Sequence, residues 1–269
     1  MRIIAIIATY NEERFIEPCL EHLIRNGIEV YLCDNKSNDQ TVELAQRYLG
    51  RGLFGLETIP RNGMIRTHAL LLRKEELAQD LDGDWFMHLD PDEFRLPPRR
   101  DQSLAEAIAG ADAAGYSAVN FLEFTFIPTV EEPDHDHTRF LETMRWYYPF
   151  LPYFPHRLSA WKKQSERVDL AGSAGHQVRF PGLRVSPESF RMRHYLYLSR
   201  PQALRKYYGR IYEPKETQKL GWHGWRVDFQ PDMARLAPQA ALRRYTDDDS
   251  LDPSCPRRKH FVEEPWLNM

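Results

Sequence analysis

Short apolar runs alternate with stretches of helical period through the first half of the chain. Ile3 to Ala8 is a continuous apolar run, which predicts a buried first strand. Beyond it, Phe15, Ile16, Leu20, Leu23 and Ile24 recur on one helical face until Asn26-Gly27, with Asn11 as the expected cap and Glu12 and Glu13 in the first turn. Pro18 falls inside that pattern, where a missing N–H either kinks the helix or opens its main run. Ile28 to Cys33 predicts a second strand, ending in the polar loop Asp34 to Asp39, and Asn38 or Asp39 is the expected start of a helix running to Leu49. A third strand is expected near Leu53 to Ile59, a helix from about Ile65 to Leu81, and a fourth strand over Trp85 to Leu89, which delivers Asp90-Pro91-Asp92-Glu93.

This alternation predicts an α/β fold with a mainly parallel sheet flanked by helices. In such sheets ligands sit outside the carboxyl ends of the strands, so Thr9, Asn11, Asp34, Asp90 and Asp92 are expected around one pocket. A helix near Leu104 to Ala114 and a strand over Tyr116 to Phe126 extend the pattern. Residues 127–160, rich in Pro, His and aromatics, read as a loop-dominated wall, followed by strand candidates at Gln177 to Val185 and Phe190 to Leu198. Helical segments are expected from about Pro201. The expected partition is therefore a main domain over 1–200 and a basic, aromatic C-terminal helical extension over 201–269, packed on the same domain.

A chain of 269 residues can bury a sizeable core. The formal net charge of −3 gives no global attraction to nucleic acid, so anion binding must be local. Cys19, Cys33 and Cys255 are widely spaced, with no C-x-x-C pair; this argues against a disulfide framework and a structural zinc site, and fits a reducing, cytoplasmic setting. The N-terminal apolar run is too short for a signal peptide, and no stretch is long and apolar enough to span a bilayer. Peripheral contact at the inner face of a membrane stays open, as does the oligomeric state.

Two carboxylates on a tight turn after a strand can supply oxygen ligands to a hard cation while leaving positions for phosphate. In isolation Asp-Pro-Asp is an ordinary turn; its place at the ligand edge of the sheet gives Asp90 and Asp92 the functional reading. Asp134-His135-Asp136-His137 mixes metal-ligand residue types, but its acidic, Pro-containing flanks favour a mobile solvated loop or a lid over the acceptor. For the aromatic run Trp146 to Phe150 core packing is the default, with stacking on sugar rings the alternative.

Ala8-Thr9-Tyr10-Asn11-Glu12-Glu13, then Cys33-Asp34-Asn35-Lys36-Ser37-Asn38-Asp39-x-Thr41, then His88-Leu89-Asp90-Pro91-Asp92-Glu93-Phe94, together resemble the family 2 glycosyltransferases of GT-A (Rossmann-like) fold, in a bacterial subgroup with this form of the D-x-D motif. The resemblance covers roughly the first 125 residues. It implies that Thr9, Asn11, Glu12, Asp34, Asn35 and Asp90 bind the nucleotide sugar, and that Asp90 and Asp92 hold a divalent cation, Mn2+ or Mg2+. Arg61 and Arg66 resemble the basic position that contacts base or phosphate. Asn35 stands where an acid often reads the base; an amide both donates and accepts, which leaves the base open.

A histidine well beyond the D-x-D completes the metal site in many such enzymes, and His194 is the first candidate with His176 as its rival. The family implies transfer, in the inverting sense, of a sugar from a nucleotide-diphosphate donor to a glycan, a lipid-linked glycan or another hydroxyl acceptor, in polysaccharide or glycoconjugate synthesis. Inversion also needs a carboxylate base; Glu123 and Asp169 are the candidates. The alternatives are an inactive sugar-nucleotide or glycan-binding module, and a hydrolase or pyrophosphorylase on the same fold. A pyrophosphorylase would want a glycine-rich basic loop after the first strand, which Thr9 to Glu13 does not provide.

Overall fold

The computed structural model describes residues 1–263. Residues 264–269, the end of the expected C-terminal extension, lie outside the described residues. The chain divides into two units: Met1–Asn62 with Thr67–Leu122 and Pro155–Met192, and Gly63–Arg66 with Glu123–Phe154 and Arg193–Met269. The sequence pattern draws its boundary near residue 200, whereas here residues 123–154 and 193–200 go with the C-terminal part.

The first unit is built on a six-stranded sheet. Strands β1 (Ile3–Thr9), β2 (Glu29–Asp34), β3 (Leu53–Thr58) and β4 (Trp85–Leu89) are parallel, as expected. β6 (Ala118–Val119) and β9 (Ala160–Lys162) complete this sheet in the order β3-β2-β1-β4-β9-β6, with β9 antiparallel to both neighbours, while β5 (Glu93–Leu96), β7 (Phe121–Phe126) and β8 (Trp146–Phe150) lie outside it. Ile3 to Ile7 are all buried, because β1 lies centrally with a partner on each side and helices above and below.

Helix α1 (Ile16–Arg25) buries Ile16, Cys19, Leu20 and Leu23, the spacing of one helical face. Pro18 falls in its first turn, where no intrahelical N–H is needed, so the helix is not kinked there. Asn11 does not cap it: Asn11 has a φ of +56°, and the carbonyl of Glu12 receives the first bonds, from the N–H groups of Phe15 and Ile16. Helix α2 (Thr41–Gln46) likewise begins after Asp39, whose carboxylate accepts from the Thr41 N–H at 2.9 Å. Helix α3 (Thr67–Asp80) and helix α4 (Leu104–Ala113) complete the cover, α4 opening on a reciprocal Ser103–Glu106 capping box.

Gln177 to Val185 forms isolated bridges and no strand, since Pro181-Gly182 interrupts it with a turn. In the second unit the stretch read as loop contains helix α5 (Phe140–Thr143) and β8, which pairs antiparallel with β7 and carries Pro149 opposite Phe124. Strand β10 (Phe190–Tyr195) stops short of Leu198, and Ser199 caps helix α6 (Arg200–Tyr207) with its hydroxyl. Beyond α6 the described residues hold single helical turns and the two-residue strand β11 (Arg243–Arg244), paired with β8. Tyr147 and Tyr148 are buried, which gives the aromatic run its core reading. The Asp134–His137 segment is tied down: His135 is buried with Nδ1 2.9 Å from the Thr143 hydroxyl, and Asp136 accepts from Arg205. No helix among the described residues is long and apolar enough to cross a membrane.

Candidate functional site

Strand register brings the polar residues together. Thr9 lies opposite Asp34, Asp34 opposite Thr58, and Ile7 opposite Leu89, so Asp90 leaves β4 at the same edge where β1 and β2 end. Parallel strands share one carboxyl end, and three sequence-distant loops therefore open on one side of the sheet.

The first two loops form one hydrogen-bonded unit. Asn11 donates its N–H to the Ser37 hydroxyl at 2.9 Å and its amide to Asn38 Oδ1 at 2.7 Å, while its own Oδ1 accepts from the Asn38 N–H at 2.9 Å. The Glu12 N–H donates to the Thr41 hydroxyl at 2.8 Å. Asp34 is buried and accepts from the Ser37 N–H at 3.0 Å, closing the turn. Asn35 donates its N–H to the Thr9 carbonyl at 2.8 Å and its amide to the Ile59 carbonyl at 3.1 Å. Thr9 Oγ1 is buried without a hydrogen-bond partner among the described residues. Arg61 lays its guanidinium over the Tyr10 ring, 3.4 Å from the centroid, a cation–π stack beside the same loops. Arg66 belongs to the second unit, where it pairs with Glu213 at 3.2 Å.

The Asp90–Glu93 turn closes with the Glu93 N–H donating to the Asp90 carbonyl at 3.0 Å. Asp90 is exposed at its surface yet packed around by protein, and this burial, with the negative charges of Glu93 and Asp92, pushes its carboxyl above the usual range against the pull of Lys74 and Arg157. Asp92 and Glu93 are buried. Glu93 accepts from Arg95 at 2.7 Å and from the Asp90 N–H at 3.3 Å, and Arg157 stands 3.6 Å from its other oxygen.

Behind the turn lies a layer that the sequence reading did not anticipate. Lys74, buried on α3, donates to His88 Nδ1 at 2.7 Å and reaches the Leu89 carbonyl at 3.4 Å. Burial first, then the neighbouring cation Lys74, hold His88 well below the usual imidazole range, so it is neutral and accepts at Nδ1. Burial likewise lowers Lys74, with Asp90 opposing. His88 precedes the D-x-D by two residues, so its position could have been singled out; Lys74 sits on a helix with no distinguishing neighbour, and its role is legible only from packing.

The glycine-rich bend Gly172-Ser173-Ala174-Gly175-His176 rests on this layer. Glu75 accepts from the N–H groups of Leu170 and Ala171 at 2.8 and 2.7 Å and from Arg167 at 2.9 Å. Asp169 accepts from the Gly172 N–H at 2.7 Å, which occupies it in shaping the bend. His176 receives Arg157 at Nδ1, 2.8 Å away, and stacks on His156.

Glu123 and His194 meet in the second unit. His194 Nδ1 lies 2.6 Å from Glu123 Oε1, which also accepts from the Thr125 hydroxyl at 3.1 Å, and both side chains are buried. The two residues were singled out separately, and the structure joins them as a pair. Among the described residues no group of three or more His, Cys, Asp or Glu side chains gathers as a metal cage; Asp90 and Asp92 lie in the first unit and His194 in the second.

Comparison with solved structures finds weak likenesses. S. aureus TarS 1-349 in complex with UDP is similar at 14% identity, over 73% of this chain and 61% of that one, with a TM-score of 0.44. A second structure of S. aureus TarS 1-349 matches at 13% identity, over 87% of this chain and 68% of that one, with the same TM-score of 0.44. Glucosyl-3-phosphoglycerate synthase from Mycobacterium tuberculosis in complex with Mn2+, UDP and phosphoglyceric acid matches at 19% identity, over 45% and 43%, with a TM-score of 0.32. No curated protein matches the chain. The family model for glycosyl transferase family 2 matches residues 4–165, a span that takes in all three loops at the sheet edge, and the chain therefore belongs to that glycosyltransferase family.

Proposed function

We propose that this protein transfers a sugar from a nucleoside-diphosphate donor to a hydroxyl acceptor, with inversion and with a divalent cation, Mn2+ or Mg2+, held by Asp90 and Asp92. The observation that carries the reading is the register that opens the ends of β1, β2 and β4 on one sheet edge, within the span that matches the family. The carboxylates fit a cation: Asp90, Asp92 and Glu93 share one turn, where burial and then the neighbouring negative charges raise Asp90, and a bound cation relieves that repulsion. When bound, the cation supplies charge to stabilise the departing nucleoside diphosphate.

The chain's own groups supply the rest. The unpartnered Thr9 hydroxyl supports a hydrogen bond to the donor, and the Tyr10–Arg61 stack supports a flat surface for its base. Asn35 spends one of its two amide N–H groups on Ile59, which fixes the amide, and its oxygen is an acceptor suited to the imide N–H of uracil or thymine. For the base we propose Glu123 ahead of Asp169, since Asp169 is engaged in the bend and Glu123 is paired with an imidazole that can share a proton.

The test is thermal shift with UDP, TDP, CDP and GDP, with and without manganese, on the wild type and Asp92→Asn. A ligand of the folded state raises Tm. The expected result is a manganese-dependent rise, larger for UDP or TDP than for CDP, lost in Asp92→Asn with its own Tm little changed. An equal rise in Asp92→Asn would remove the cation from the site; no rise with any nucleotide would favour a glycan-binding module.

A further inference from the structure

Residues 200–228 carry charge opposite to the chain as a whole. They hold seven Lys and Arg residues against three acids, while the full chain has a net charge of −3. Two of the acids are turned to internal partners, as are Arg205, paired with Asp136, and the buried Lys206, which leaves five cations against one acid. Glu216 is buried against His223 at 2.7 Å, and Glu213 pairs with Arg66, itself a cation, at 3.2 Å. Asp228 is exposed.

Apolar side chains stand out from the same stretch. Tyr208 is 56% exposed, Ile211 60% and Val227 38%, with Leu220 exposed between them in sequence. Tyr207 gathers the neighbouring arginines. The guanidinium groups of Arg210 and Arg226 lie 5.5 and 5.9 Å from the centroid of its ring, and Trp225 packs edge-on against it at 4.9 Å. Both arginines therefore converge on one aromatic platform, and each is followed immediately by an exposed aliphatic residue, Ile211 or Val227. Stacking of Tyr212 on His223 at 4.1 Å, with His223 held by Glu216, folds the intervening turn back on itself, and Lys215 and Lys219 within that turn are exposed.

We propose that this face of the second unit docks on an anionic phospholipid surface. Cations interspersed with exposed aliphatic and tyrosine side chains suit the boundary between headgroups and acyl chains, where charge meets phosphate and the apolar tips leave water. A soluble polyanion such as nucleic acid would use the cations but give Ile211 and Val227 nothing to bury against. Binding then depends on both kinds of residue: the cations draw the face to the surface and the apolar tips hold it there.

Co-sedimentation of the full chain with vesicles tests this, using phosphatidylcholine alone and phosphatidylcholine with about one quarter phosphatidylglycerol. The wild type is expected in the pellet with the anionic vesicles and not with the neutral ones. Ile211→Ser with Val227→Ser should weaken anionic-vesicle binding roughly tenfold, as loss of inserted apolar surface requires. Lys215→Gln with Lys219→Gln should weaken it too, and added salt should mimic that change. All four positions are surface ones, and circular dichroism checks the fold; Val130→Ser, 60% exposed outside the segment, should bind as wild type. Failure to sediment with anionic vesicles, equal binding to neutral ones, or binding indifferent to Ile211 and Val227 overturns the proposal. The last of these, with retention on polyuridylate, would assign the face to a soluble polyanion.

Discussion

At Gly175 the backbone runs with a φ of +84°, and a Cβ there would lie 2.7 Å from His88 Nε2. Both facts exclude a side chain, because His88 is fixed from its other nitrogen by Lys74 and cannot retreat cheaply. Gly175→Ala should therefore cost about 2–5 kcal/mol in urea unfolding, against about 1 kcal/mol for Gly63→Ala, where only the positive φ of +78° opposes the change and the space is open. Glu123 belongs to the same scale. If it takes the acceptor proton with His194 as partner, Glu123→Gln should lower kcat about 100-fold or more while the nucleotide-induced rise in Tm persists; an unchanged kcat would return the pair to a structural role. Asp90 and Asp92 were legible as residues because two acids after an apolar strand form a local signal. The pairing of Glu123 with His194 was not legible, since 71 positions separate them and no local spacing encodes a contact made across strands. The role expected of Asn11 failed for a related reason: residues that cap helices also favour left-handed turns, and tertiary bonds to Ser37 and Asn38 decided between the two.

Among elements, the bend over Asp169–His176 has little regular structure of its own and depends on α3. Glu75 alone satisfies two of its backbone N–H groups and anchors Arg167. Glu75→Ala leaves those buried donors unpaired, at a cost of about 2–5 kcal/mol. Hydrogen exchange should register it as faster exchange at Leu170 and Ala171, with β1 unaffected; equal acceleration throughout would mean that the bend and sheet open as one. Strands β1 to β4 were readable because they are continuous apolar runs bounded by turns. Strand β8 was hidden by Pro149 and by an unbroken aromatic sequence without alternation, and β9 and β11 are too short to produce a period. Gln177 to Val185 shows the opposite error, an apolar alternation that Pro181-Gly182 keeps from pairing.

For the molecule as a whole, stability should fall on mild acidification. Burial holds His88 and His135, one in each unit, below the usual imidazole value of 6.5. The unfolded chain then takes up protons that the folded chain refuses, so stability is retained above pH 6.5 and lost as pH falls from there toward the folded values. Tm should decline between about pH 7.5 and 5.5, and His135→Gln should flatten part of that slope; a flat wild-type profile would mean that both rings reach solvent. At this scale the sequence conveyed the class of fold but not how segments are shared between the two units, because 123–154 joins the C-terminal part through pairing partners roughly 100 residues away. The register of β1 with β2 and β4 has one more effect, on tolerance to insertions and deletions. Removing a single residue from β4 would draw Asp90 back by about 3.3 Å and turn the following side chains to the opposite face of the sheet. The chain can thus exchange one apolar residue for another along β4 at modest cost, yet a frame-preserving deletion of one codon there would dismantle the carboxylate turn while leaving both aspartates in the sequence.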